Sequence, residues 1–119
     1  MSDTRRHHLL CALLRHDPDV AAVYVELASL PWDCPDPLVT LGPRHVAAVL
    51  GRFLTGELSA ESVERWANAI ESREDIRVDS LHEDALRRVI FDLANPELAG
   101  ALGTDSAHAL LRTLHELSR

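Results

Sequence analysis

Residues 54–75, LTGELSAESVERWANAIESRED, decide how the rest of the chain is read. Gly56 can stop a preceding helix, because the left-handed cap conformation costs glycine nothing. Ser59 is placed to N-cap a new helix by accepting a hydrogen bond from an orphan backbone N–H. Leu58 and Val63 have the spacing of a hydrophobic staple. Glu61 falls in the first turn, where the helix dipole favours an anion. Val63, Trp66, Ala67 and Ile70 then recur at i, i+3, i+4 and i+7, the period of a helix with one buried stripe. Projected on a wheel, that stripe spans roughly 100°. Glu61, Glu64, Asn68, Glu71 and Asp75 make a second stripe about 80° wide, with Arg65 and Arg73 on the other flank. Such a row reads either as a solvated face or as a docking surface for a basic partner.

Working outward, the upstream segment opens on Gly42-Pro43 with proline at the first helical position. Val46, Val49, Leu50, Phe53 and Leu54 continue at helical spacing. The short turn through Gly56 predicts that this helix and the next pack as an antiparallel hairpin over residues 43–74. Downstream, Ser80 and Glu83 have capping-box spacing. Ala85, Leu86, Val89, Ile90 and Leu93 supply that helix's buried face, and Asn95-Pro96 ends it. Thr104 is placed to cap a last helix carrying Ala107, Leu110, Leu111, Leu114 and Leu117.

The N-terminal part is read as a helix over residues 4–15 capped by Thr4, then a break at His16-Asp17-Pro18-Asp19. Asp17 and Pro18 suit the N-cap and first helical positions of a second helix. VAAVYVEL is β-branched enough for a strand, but the cap chemistry before it favours a helix. Pro31, Pro35 and Pro37 exclude a helix from residues 30–42, which read as an extended linker packed through Trp32 and Leu38, either a structural strap or a binding loop. The expected fold is a single all-α domain of 119 residues, an antiparallel bundle of five or six helices built on the central hairpin. Residues 1–29 form its N-terminal helices, 30–42 its proline-rich linker and 43–119 the bundle proper.

Charge is unevenly placed. Six acids and five arginines fall in residues 1–56, nine acids and three arginines in 57–84, and four of each in 85–119, giving the net −7. That balance disfavours binding to a phosphate backbone and favours steering towards a basic protein. All twelve basic residues are arginine, which removes lysine Schiff-base chemistry. Cys11 and Cys34 are expected to be reduced thiols in a cytoplasmic chain, with a bridge between them the less favoured alternative. No run reaches the length of a membrane span. Neither HExxH, GxSxG, Walker A nor GxGxxG occurs. His108 and His115 share a helix face but stand about 10 Å apart along its axis, too far to share one zinc. No catalytic residue, metal site or cofactor is expected.

Residues 49–66, VLGRFLTGELSAESVERW, resemble the helical-hairpin motif of the colicin-D-type bacterial self-protective immunity proteins. Phe53, Leu54, Gly56, Glu57, Ser59, Ala60, Glu61 and Trp66 carry the resemblance, in the order in which that family places a Phe-Leu pair, Gly-Glu, Ser-Ala-Glu and a later aromatic. It implies a non-catalytic helical protein that binds a cognate toxin, often a basic nuclease, and blocks its active site with acidic side chains. The expected contact residues are Glu57, Glu61, Glu64, Glu71, Glu74, Asp75 and Asp79. The alternative expectation is a structural or adaptor subunit that oligomerises through an apolar helix face.

Overall fold

A computed structural model describes residues 2–30, 37–71 and 73–117, with the side chains of residues 2 and 3 excepted. Trp32, Cys34 and two of the three linker prolines, Pro31 and Pro35, lie outside the described residues, and so does the Cys11–Cys34 alternative.

Seven α-helices and two short strands occur among the described residues. In chain order they are α1 (Ser2–Arg15), α2 (Val20–Ala28), β1 (Val39–Leu41), α3 (Pro43–Leu54), α4 (Ala60–Glu71), β2 (Ile76–Val78), α5 (Glu83–Ala94), α6 (Pro96–Ala99) and α7 (Thr104–Leu117). A 3₁₀ turn, Ser80–His82, leads into α5. The chain is thus mostly helical, as its periodicity predicts, with one helix more than expected because α6 is a single four-residue turn begun by Pro96.

The strands are a departure from the all-α expectation. Val39, Thr40 and Leu41 pair in parallel with Ile76, Arg77 and Val78. The ladder extends at both ends through Leu38 N–H to the Asp75 carbonyl and Asp79 N–H to the Leu41 carbonyl, each 2.9 Å. Parallel strands need a crossover, and here α3 and α4 together are that crossover. The linker is therefore not only a strap: its end becomes a strand, with Leu41 fully buried.

Local chemistry explains most boundaries. Gly42 precedes α3 in extended conformation, and the His45 ring reaches back so that Nδ1 accepts from Gly42 N–H at 2.9 Å. Ser59 Oγ accepts from Ser62 N–H at 3.1 Å, the expected cap of α4. Gly56 takes φ 86°, the left-handed stop between the two helices. Four caps differ from expectation. Helix α1 already includes Thr4, α2 starts at Val20 with Asp19 before it, and Asp79 rather than Ser80 caps the turn before α5, accepting from Leu81 N–H at 3.0 Å. At the last of them Thr104 is already the first residue of α7 and Gly103 precedes it, its N–H donating to Ser106 Oγ at 2.8 Å.

The core runs continuously from Leu9, Leu10 and Leu13 of α1 through Val46 and Leu50 of α3, Val63 and Trp66 of α4 and Leu86 of α5 to Leu114 of α7. Although a short turn joins α3 to α4, α4 packs most extensively on α5 and α3 on α7. Trp66 is wholly buried, and its Nε1–H donates to the Leu13 carbonyl at 2.7 Å. That bond ties the buried face of α4 to the last turn of α1.

Candidate partner-binding surface

With Val63, Trp66, Ala67 and Ile70 turned inward, Glu61 and Glu71 are exposed and Glu64 is half-buried at the helix edge. The seven acids expected to form one surface divide into different environments.

Asp75 is fully buried and does not belong to the exposed row. Arg73 holds its carboxylate with two parallel hydrogen bonds of 2.9 Å, Nε to Oδ1 and Nη2 to Oδ2. Arg6 of α1 adds an ionic contact, Nε to Oδ2, at 3.9 Å. The Arg73 and Arg6 side chains are themselves only 7% and 10% exposed, so this is an interior Arg–carboxylate–Arg cluster joining α1 to the start of β2. Arg6 Nε is buried without a hydrogen-bond partner. Periodicity places Asp75 in line with the α4 acids, but α4 ends at Glu71 and the chain turns into β2, which carries Asp75 inward.

Glu57 is neutralised. Its carboxylate accepts from Arg52 Nε at 2.7 Å, while Arg52 Nη1 donates to the His16 carbonyl at 2.9 Å. The pair works as a strut from the end of α3 to the end of α1. His16 there is buried, takes φ 52°, and is held below the usual imidazole range by burial and by the Arg52 charge. Asp79 is occupied by its capping bond. Glu71 approaches Asn95 Nδ2 at 3.4 Å and borders a depression that also contains Arg73, Arg87 and Arg88. Glu74 is exposed.

Glu61 and Glu64 differ from the rest. Neither side chain makes an ion pair among the described residues, and both line a cleft of about 420 Å³ between α4, the end of α5, α6 and α7. Val63, Leu93, Leu102 and Leu110 supply its apolar walls, with Pro96 and several alanines between them. Asp92 of α5 adds a third carboxylate, paired along its own helix with Arg88 at 3.1 Å. No basic residue is among the described residues lining this cleft. Its two hydroxyls are engaged: Ser106 Oγ accepts from Gly103 N–H at 2.8 Å and donates to the Gly103 carbonyl, and Thr113 donates to the Ala109 carbonyl. The cleft therefore offers apolar surface and negative charge, and is suited to cations with hydrocarbon attached.

Sequence reasoning finds Glu61 and Glu64 but misses Asp92 and the cleft itself. Asp92 is four residues after Arg88 on α5, which reads as a routine i,i+4 pair; only packing of α5 on α4 brings it to the same opening. Arg65 sits on the opposite flank of α4, its guanidinium 4.6 Å above the Tyr24 ring. Burial raises the Tyr24 hydroxyl pKa and the Arg65 charge partly offsets this.

No described helix is long and apolar enough to cross a membrane. No protein-family model, curated protein or solved structure matches this chain.

Proposed function

We propose that this protein is a non-catalytic inhibitor of the immunity or antitoxin kind, a cytoplasmic bacterial protein that captures a basic toxin through the acidic edge of α4. The single observation behind this reading is the pair Glu61 and Glu64, unpaired among the described residues, on the lip of a cleft lined by three carboxylates and no described cation. A nuclease has to be cationic to hold phosphates, so it is the natural class of partner for such an edge. In this reading α4 presents the acids, and its packing on α5 keeps them in place. The contact surface narrows to Glu61, Glu64 and Asp92, with Glu71 and Glu74 at its margin.

The test is protection. Co-expression with the product of an adjoining toxin-like open reading frame should rescue growth, and Glu61→Arg with Glu64→Arg should abolish the rescue while leaving far-UV circular dichroism unchanged. Rescue that survives both reversals at physiological salt rejects this surface. The second reading is a subunit that oligomerises through apolar contacts, favoured by Leu98 at 72% and Phe91 at 42% exposure. Its self-association would persist at high salt, where acid–base docking weakens.

A further inference from the structure

We propose that the cleft between α4 and α7 receives a basic amphipathic segment of the partner, an inference that rests on the inhibitor reading above. One or two apolar side chains of that segment fill the trough beside Pro96, Leu102 and Leu110, while its arginines or lysines lie against Glu61, Glu64 and Asp92.

Three features select this occupant. The carboxylates come from two different helices: Glu61 and Glu64 of α4 make no ion pair among the described residues, and Asp92 faces the apolar floor from α5 while paired with Arg88 on its own helix. That pattern complements a segment whose apolar stripe is flanked by cations, as in helix-in-groove recognition. Glu61 and Glu64 are three apart on α4, which puts them about 5–6 Å from each other at Cβ, within reach of two cations one turn apart on a docked helix. The two hydroxyls in the lining are already bonded to backbone, so neither is free to attract an anion. A second copy of this chain is disfavoured as occupant by its net charge of −7. The volume, about 420 Å³, is at the lower end of the range for binding pockets and suits a few side chains inserted from an open segment.

The probe is a set of fluorescein-labelled, amidated helical peptides with leucine at i, i+3 and i+4 and arginine on both flanks, titrated into the full chain by anisotropy. Matched peptides carry serine for leucine or glutamate for arginine. The leucine–arginine peptide should bind and both controls should fail. Glu61→Gln with Glu64→Gln should weaken binding about tenfold. Ala109→Trp, at an exposed position in the cleft wall, should abolish binding without disturbing the fold. Glu26→Gln with Glu83→Gln, on α2 and at the start of α5 and both outside the cleft, should leave it unchanged. Absence of binding up to about 1 mM, equal binding by the serine peptide, or indifference to Ala109→Trp overturns the proposal. Self-association relieved by Ala109→Trp also overturns it, in favour of a second copy. Toxin protection that survives Ala109→Trp removes the cleft and keeps the inhibitor reading. Peptide capture by a chain that neutralises no toxin does the reverse.

Discussion

Asp75→Asn removes one charge while keeping the side chain's size and an oxygen acceptor, and it should be among the most destabilising conservative changes in the chain. The wild-type carboxylate is fully buried and faces two guanidiniums that are 7% and 10% exposed. Neutralising it leaves both cations out of water with no counter-charge. Breaking a buried pair in this one-sided way costs about 3–5 kcal/mol. Set against a total stability of about 6–15 kcal/mol for a domain of this length, the loss corresponds to roughly 15 °C in Tm. The Asp75 carbonyl also accepts from Leu38 N–H at the entry to the β ladder, so amide protection at Leu38 and along β1 should fall with it. Differential scanning calorimetry and urea unfolding read the loss, and native-state hydrogen exchange locates it. The proper control is Glu26→Gln. Its partner Arg5 is bound just as closely, at 2.6 Å, but with side chains 56% and 40% exposed, and such pairs are worth less than about 1 kcal/mol. If Asp75→Asn and Glu26→Gln cost the same, the interior cluster has been misjudged.

Burial holds both His16 and His45 below the ordinary imidazole value, helped by Arg52 and Arg44 respectively. The unfolded chain therefore takes up protons first as pH falls below about 6.5. Stability should be full above that value, decline as pH drops towards the lowered folded-state values, and level off beneath them. Urea midpoints between about pH 8 and pH 5.5 check this, and a midpoint that rises on acidification refutes it. His16→Asn, which tolerates the left-handed backbone, should flatten the decline in part. Trp66→Phe deletes the 2.7 Å bond to the Leu13 carbonyl, yet that carbonyl keeps the His16 N–H at 3.0 Å. The cost should therefore stay near 1–2 kcal/mol (about one lost hydrogen bond plus a small void), measured by denaturant titration, and a loss above about 4 kcal/mol would show that the indole has a further role.

The helices were legible because their signals are local. Val63, Trp66, Ala67 and Ile70 announce a buried stripe within one segment, and Ser59 and Gly42-Pro43 mark starts by chemistry that acts over three or four residues. The strands were not, because VTL and IRV are each three residues long and depend on a partner far away in sequence. The same distinction separates the acids. Ser59 fixes the start of α4 and its apolar stripe turns Glu61 and Glu64 outward, so their exposure follows from sequence. Asp75 looks equivalent on a helical wheel, but the helix has ended before it, and only tertiary structure supplies Arg6. Asp79 caps the turn before α5 from one residue ahead of the serine that looks better placed in sequence. The cleft has no signature at all, being the space left where α4, α5 and α7 meet.

The Val39–Ile76 ladder constrains the order of assembly. Its two halves are separated by the whole of α3 and α4, and so short a run of backbone bonds cannot offset the loop-closure entropy of bringing such distant ends together. The crossover helices must already be docked before the strands are held within reach. The ladder should then behave as a latch, and pulse-labelling during refolding should find its amides protected only after those of α3 and α4.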